Sequence, residues 1–185
     1  MIDIIYRRID ESELDRGLFR GFRRRQVVNL CRRYVDGEWV MRPAPFIDDW
    51  SEKDYAFLID CLKNTVRTGG LVLGAFYEGV LKGFVSVEAE PIGRRKNYLD
   101  LTSIHVSEEL RGQGIGRALF GEAVSFARSR GAEKLYISAH SAAESQAFYA
   151  AMGCVDAEEY HQPHVDAEPF DCQLEYKLNQ TKGEI

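Results

Sequence analysis

The sequence predicts a single α+β domain organised around one strand–loop–helix unit between Tyr98 and Arg130. Residues Tyr98–Val106 form an extended, β-rich run, and glycines then alternate with other residues over Arg111–Gly116. Apolar residues recur at helical spacing in the segment that follows, and Gly131 ends it. Upstream, two apolar runs joined by Glu78–Gly79 are typical of a β-hairpin. Strands and a helix of this kind predict a sheet with helices packed on it.

The composition indicates an ordinary globular chain. With 185 residues it is most simply one domain, expected over residues 1–179 and followed by a polar tail over residues 180–185. A net charge of −5 gives no support for binding nucleic acid over the whole molecule. The N-terminus does not resemble a signal peptide, and no run of about 18 apolar residues predicts a membrane span. We therefore expect a cytoplasmic protein whose four scattered cysteines are reduced.

The first 35 residues have the least definite pattern. Ile2–Arg8 alternates weakly as a strand, and Asp10–Glu13 supplies capping residues for a helix over about Leu14–Phe22. The basic block Arg20–Arg25 and the run Val27–Tyr34 follow. A solvated helix face is the favoured interpretation of this basic cluster, and an anionic ligand is the alternative.

A turn at Asp36–Gly37 leads into a region rich in proline and aromatic residues. The prolines predict a loop or a short extended segment over Arg42–Trp50. Its aromatic residues could line a substrate pocket, and it is equally reasonable that they cover the core. These residues are Trp39, Phe46 and Trp50.

The middle of the chain gives clear local signals. Ser51–Asp54 is typical of a helix N-cap, apolar residues then follow helical spacing to Val66, and Gly69–Gly70 ends the helix. Two strands and a loop are predicted next, over Leu71–Tyr77, Val80–Glu88 and Glu90–Asn97.

The central strand changes its alternation partway along. Leu99 and Leu101 share one phase, whereas Ile104 and Val106 share the other. One extra residue would cause such a slip, so we predict a β-bulge near Thr102–Ser103.

The C-terminal third predicts a strand, a helix and a closing strand. Lys134–Ala139 alternates, and Ser141–Glu144 has the spacing of a capping box that starts a helix ending at Gly153. A loop containing Pro163 then leads to a strand over Asp171–Leu178.

The glycine loop has the chemistry of a phosphate cradle. Glycines admit a close backbone approach, and the free amides of the next helix favour an anion. The dinucleotide pattern G-x-G-x-x-G fails, because Arg117 stands where its third glycine should be. The P-loop pattern fails because no Gly-Lys-Ser/Thr follows. A plain strand–helix connector is the alternative.

Two motifs resemble the GNAT superfamily of N-acetyltransferases. Arg111-x-x-Gly114-x-Gly116 is similar to the family's R-x-x-G-x-G/A loop, which binds the pyrophosphate of acetyl-CoA. Ser145–Gly153 resembles the helix that ends F/L-Y-x-x-x-G-F, with Tyr149 as its tyrosine and Cys154 in place of the last phenylalanine. The asparagine that the family often has seven residues before the tyrosine is Ala142 here, and Ser141 or Ser145 is the expected substitute.

The resemblance implies a fold and a cosubstrate site. The fold is a central mixed, mostly antiparallel twisted sheet of about six or seven strands, flanked by about four helices. The bulge in its central strand opens a gap for acetyl-CoA. The residues expected to bind this cosubstrate are Ile104, His105, Val106, Arg111, Gly112, Gln113, Gly114, Ile115, Gly116, Arg117, Ser141, Ser145 and Phe148.

Acyl transfer from a thioester to an amine needs a base, a stabilised carbonyl oxygen and a protonated leaving thiolate. Tyr149 is the candidate acid, since a tyrosine pKa of about 10 exceeds a thiol pKa of about 8.5. By resemblance, the Val106 amide polarises the acetyl carbonyl. Glu88 and Asp100 are the candidate bases, and His105 stays open. No covalent acyl-enzyme is required, so Cys154 is not needed as a nucleophile.

The sequence thus predicts transfer of an acetyl group from acetyl-CoA to a primary amine by direct attack in a ternary complex. The alternative is a non-catalytic acyl-CoA-binding sensor or interaction domain. The amine could belong to a small molecule or a peptide, and a homodimer is left open. His161 and His164 have no cysteine nearby in ligand spacing, so no metal site is predicted.

Overall fold

The computed structural model describes residues 2–178, so the tail predicted at residues 180–185 lies outside the described part. Within residues 2–178 the chain forms nine strands and four α-helices. The strands are β1 (Ile5–Arg8), β2 (Arg25–Val35), β3 (Glu38–Asp49), β4 (Leu71–Tyr77), β5 (Val80–Val87), β6 (Tyr98–Val106), β7 (Lys134–Ala139), β8 (Val155–Asp156) and β9 (Cys172–Lys177). The helices are α1 (Glu52–Arg67), α2 (Ile115–Ser129), α3 (Ala143–Met152) and α4 (Gln162–Ala167).

Seven strands form the main sheet in the order β1-β4-β5-β6-β7-β9-β8, and β2 and β3 pair separately. Neighbours in the main sheet are antiparallel except for β6 and β7, which are parallel. The predicted mixed, mostly antiparallel sheet is confirmed. None of the helices among residues 2–178 is long and apolar enough to cross a membrane.

The predicted bulge is confirmed at Thr102. Ser86 of β5 pairs with Ser103, but the next residue, Val87, pairs with Leu101, so Thr102 has no opposite residue on β5. This extra residue keeps Leu99 and Leu101, and then Ile104 and Val106, against the same core.

Beyond the bulge, β6 and β7 separate. They pair only over Tyr98–Asp100 and Lys134–Tyr136, although both strands continue past that point. The second half of β6 therefore has a free edge on this side, and a gap opens inside the sheet.

The two faces of the sheet bury different helices. α2 packs on one face, where its apolar side chains join those of β4, β5, β6 and β7. α1 packs on the other face together with apolar side chains of the irregular N-terminal segment. The signals for α1 are confirmed, because Ser51 and Asp54 form a reciprocal capping box.

The helix predicted over Leu14–Phe22 is wrong. The capping residues start only a short 3-10 turn at Glu11–Glu13, and turns follow. Asp15 Oδ1 accepts the backbone N–H of Leu18 at 3.0 Å, a local bond that competes with helix formation. The apolar residues of the segment are buried by tertiary packing instead; they are Leu14, Phe19 and Phe22.

The solvated helix face inferred for the basic cluster is also wrong. Residues 20–24 lie in a turn and an irregular segment, and Arg25–Val35 form strand β2, which pairs with β3 through a turn at Asp36 and Gly37. Both turn residues have positive φ, 52° and 89°, as a two-residue hairpin turn requires. The segment Arg42–Trp50 is extended almost throughout, since an isolated two-stranded ribbon leaves edge positions that tolerate proline.

Candidate active site

A cleft of about 1250 Å³ opens where β6 and β7 separate. It is lined by the second half of β6, the glycine loop, the first turn of α2, α3, the open end of the β2–β3 hairpin and the segment around α4. The predicted residues that line it are Asp100, Ile104, His105, Val106, Arg111, Gly112, Gly114, Ile115, Gly116, Arg117, Ser145, Phe148 and Tyr149. Three predicted residues do not: Glu88, Gln113 and Ser141.

The glycine loop is built to admit a ligand at the start of α2. Gly112 and Gly114 have positive φ, 78° and 83°, which side-chain-bearing residues rarely adopt. Gly114 is the N-cap and has no side chain to occupy the amides of the first turn. Those amides belong to Ile115, Gly116 and Arg117, and the geometry of an α-helix leaves them without backbone acceptors. This end of a 15-residue helix can hold a phosphate group.

Arg111 connects the loop to the free end of β6. Its Nε donates to the carbonyl oxygen of Val106 at 3.1 Å. Burial lowers the pKa of Arg111, and the nearby Arg24 guanidinium lowers it further. The Arg111 guanidinium therefore adds positive charge beside the loop, in addition to the N-terminal end of α2.

The free edge of β6 offers amide groups to the cleft. The Ser107 amide donates to the Lys82 carbonyl at 2.8 Å, on the β5 side. Because amides alternate sides along an antiparallel strand, those of Ile104 and Val106 point away from β5 and into the gap. Two backbone donors are thus available where the strands separate.

Tyr149 lies on α3, with 8% of its surface exposed, and lines the same cleft. Burial raises the pKa of its hydroxyl, so the group stays protonated well above neutral pH. The ring of the preceding Phe148 packs against the first turn of α2 at Gly116. Burial also raises the pKa of the Cys154 thiol to about 12, which makes it a poor nucleophile at neutral pH.

The two carboxylates predicted as bases lie in different environments. Asp100 Oδ2 is 2.6 Å from His164 Nε2 in the cleft, and Asp100 Oδ1 has no hydrogen-bond partner among the described residues. Glu88 instead accepts the hydroxyl of Thr65 at 2.5 Å, on the side of α1. Burial raises the pKa of Glu88. The structure brings Asp100, and not Glu88, to the cleft.

The capping box predicted at Ser141 and Glu144 does not form. Ala142 is the N-cap of α3 and makes no side-chain cap. Ser141 is 3% exposed and accepts from Arg33 Nη1 at 2.5 Å, while Glu144 accepts from Gln26 Nε2 at 2.8 Å. Partners from β2 replace the local bonds and tie that strand to α3.

One wall of the cleft was missed by sequence reasoning. Arg24, Asp48 and Trp50 meet at the open end of the β2–β3 hairpin. Arg24 is 7% exposed and donates from Nη2 to Asp48 Oδ2 at 2.6 Å; its Nε and Nη1 have no partner within residues 2–178. Of the aromatic residues noted above, Phe46 and Trp50 line the cleft, whereas Trp39 packs against the main core.

The cleft is also strongly polar beside Asp100. His140, His164, Glu168 and Asp171 line this part. None of them lies in either of the two motifs described above, and His164 was considered only as half of a histidine pair. Burial raises the pKa of Asp171 to about 6, and the charge of Glu168 adds to this rise. Burial lowers the pKa of His105 well below its usual value, with further lowering by the Arg24 and Arg111 charges. His105 is therefore neutral at physiological pH.

Comparison with known proteins shows which family and which solved structures this chain resembles. The model of the Acetyltransferase (GNAT) family matches residues 35–154. Nourseothricin acetyltransferase has a similar structure, with a TM-score of 0.67 and 22% identity over 93% of this chain and 95% of that one. A putative streptothricin acetyltransferase from Bacillus anthracis str. Ames, in complex with acetyl coenzyme A, has a TM-score of 0.67 and 15% identity over 94% and 96%.

The PaiA N-acetyltransferase from Thermoplasma acidophilum, in complex with coenzyme A, has a TM-score of 0.59 and 18% identity over 95% of this chain and 99% of that one. No curated protein matches the chain. At these identities the structural likeness establishes the fold, and the family rests on the match to residues 35–154.

Proposed function

Because the chain belongs to the GNAT acetyltransferase family, we propose that it transfers an acetyl group from acetyl-CoA to a primary amine by direct attack in a ternary complex. One observation carries this proposal. The gap between β6 and β7, the N-terminal end of α2 and the Tyr149 side chain all open into a single cleft. A phosphate-bearing thioester and an amine can therefore meet within it.

The residues of the cleft fit acetyl-CoA. The open glycine loop and the first-turn amides of α2 would hold its pyrophosphate. The bound thioester supplies an activated acetyl group. The amides of Ile104 and Val106 at the free strand edge would stabilise negative charge on the acetyl oxygen.

Proton transfers are assigned to groups beside this edge. Tyr149, kept protonated by its raised pKa, would donate a proton to the leaving sulfur. Asp100 is the favoured one of the two predicted carboxylates, because it lines the cleft and Glu88 does not. Cys154 has no role as a nucleophile in this scheme.

A cationic small molecule is the acceptor class that best fits the cleft. Six carboxylates line it and would attract an ammonium group; they are Asp48, Asp100, Glu108, Glu144, Glu168 and Asp171. Two of the similar structures are described as nourseothricin and putative streptothricin acetyltransferases. These two compounds, polyamines and peptides with a free amino group form the first panel to test.

The test combines binding with turnover. Isothermal titration with acetyl-CoA measures the cosubstrate site, and release of free thiol with each amine measures transfer. Binding with amine-dependent thiol release supports the proposal. Binding without thiol release on any amine would favour the non-catalytic acyl-CoA-binding alternative, and absence of binding would exclude both.

A further inference from the structure

Asp100 lines the cleft beside a histidine that lies 64 residues away in the sequence. His164 Nε2 is 2.6 Å from Asp100 Oδ2, and the two side chains are 28% and 9% exposed. The unpaired Asp100 Oδ1 is itself shielded from solvent. Within this pair, the imidazole is therefore the part that a ligand in the cleft can contact.

The imidazole of His164 is held in place on several sides. It stacks on the ring of Tyr136, with centroids 5.9 Å apart and planes 13° apart, and the His161 ring packs on its edge at 5.1 Å. The Pro163 of the predicted loop instead occupies the first turn of α4, where proline is tolerated, and this short helix carries His164. The side chain is fixed by the sheet rather than left on a free loop.

The contact with Asp100 determines which ring nitrogen is free. A neutral histidine that donates from Nε2 to a carboxylate has Nδ1 as its acceptor. His164 Nδ1 has no hydrogen-bond partner in the described part of the chain. Carboxylate, imidazole and a free basic nitrogen are the components of an oriented general base.

The groups around His164 favour a positive charge at this point. Asp100 contacts it from β6, Tyr136 stacks on it from β7, and His161 of its own segment packs on its edge. Asp171, just before β9, and Glu168, of its own segment, line the same cleft. The hydrogen bond from Asp100 raises the pKa of His164, and the charges of Asp100 and Asp171 add to it. The same charges would attract a protonated amine.

We infer that His164 is the group that takes the proton from the acceptor amine and that Asp100 is its positioning residue; this assignment rests on the proposed function. His164 removes one proton from the ammonium group, and the freed nitrogen lone pair forms the C–N bond as the C–S bond breaks. Tyr149 gives its proton to the leaving sulfur, and the second proton lost by the nitrogen returns to the Tyr149 phenolate through solvent. His164 then releases its proton to solvent.

The test measures kcat/KM against pH for the parent, His164→Gln, Asp100→Asn and Asp171→Asn, with nourseothricin or spermidine as acceptor. Thiol release is the readout, and the rate without an amine is subtracted as the blank. His161→Gln is the control for packing, because its ring touches His164 without lining the cleft. It should lower kcat/KM far less than His164→Gln and keep the acidic limb of the profile. His164→Gln should lower kcat/KM about 100-fold or more and remove the acidic limb of the profile, while the Kd for acetyl-CoA stays within about twofold.

Asp100→Asn should shift the acidic limb to lower pH, because the imidazole loses the carboxylate that raises its pKa. Added imidazole should restore part of the activity of His164→Ala. An unchanged acidic limb in His164→Gln, or its loss in Asp171→Asn alone, would overturn the assignment while leaving the acetyltransferase proposal intact. Parent enzyme that releases no more thiol with either amine than in the blank would reject the proposed function itself, and this assignment with it.

Discussion

The ring carbon Cε2 of Phe148 lies 3.1 Å from the point that a Cβ atom on Gly116 would occupy. The helices α2 and α3 approach each other here, beside the proposed phosphate site. Glycine at position 116 therefore lets α3 approach α2 closely. Gly112 and Gly114 have open space around their Cβ positions, and there glycine is favoured because the backbone has a positive φ.

This contact gives a matched pair of substitutions on one helix. Gly116→Glu adds bulk against Phe148 and a negative charge at the amides, so we expect acetyl-CoA to bind about 10-fold more weakly or worse. Gly121→Glu makes the same change on an exposed part of α2, where nothing lies within 4 Å of the Cβ position. Isothermal titration should show near-parental binding for the second variant. Equal affinities in the two variants would contradict the proposed site.

Removal of the Tyr149 hydroxyl should affect chemistry rather than binding. We expect Tyr149→Phe to lower kcat about 10- to 100-fold, with the Kd for acetyl-CoA unchanged, because only proton donation to the leaving sulfur is lost. Burial raises the pKa of Tyr149 above its usual value, so the parent should lose no rate through ionisation of this group below about pH 10. Rate measurements up to that pH check both points; a parental kcat in Tyr149→Phe would rule out the role.

The contact between His164 and Asp100 should make stability depend on pH. The folded pKa of His164 is raised above the unfolded value, so the pair's contribution is complete below about pH 6.5. That contribution is lost as the pH rises through the folded pKa. Urea unfolding should therefore show that the stability advantage of the parent over His164→Gln shrinks from pH 6 to pH 9. His161→Gln should follow the parent, and a constant difference for His164→Gln would argue against the shift.

The buried ion pair at the open end of the hairpin should be sensitive to loss of its acidic partner. Asp48→Asn leaves the Arg24 guanidinium buried without a carboxylate partner, and we expect this to lower the unfolding free energy by about 2 kcal/mol. The loss is smaller than for a fully buried ion pair because the Asp48 side chain is 24% exposed. The neighbouring Asp49→Asn removes an exposed carboxylate and should change stability by less than about 0.5 kcal/mol. Chemical denaturation of both variants checks this, and equal losses would show that the pair is not responsible.

The features that could be predicted from the sequence are those determined by residues close together in the chain. Ser51 and Asp54 cap α1, Glu78 and Gly79 form a tight turn, and the phase change around Thr102 marks the bulge. Each depends on contacts within a few positions, or on alternation along a single strand.

The features that could not be predicted depend on distant partners. Ser141 has the spacing of a cap, but Arg33, 108 residues away in the sequence, occupies its hydroxyl. Nothing local separates the buried Arg24 from its exposed neighbour Arg23, and nothing near His164 indicates Asp100. Contacts between distant parts of the chain decide which of several residues of the same type is buried or lines the cleft.

The lining of the cleft has a consequence for how this protein can change over evolutionary time. Among residues 2–178, the lining residues fall before position 51 or after position 99, and the stretch 51–99 with α1, β4 and β5 supplies none. The hairpin of residues 25–49 and the glycine loop are separate stretches of the sequence, so a substitution at a lining position such as Phe46 changes one wall and leaves the residues of the other as they are. Selection can therefore act on the specificity of one wall through residues that the other wall does not share, while the stretch between them carries the strand that holds the bulge in place.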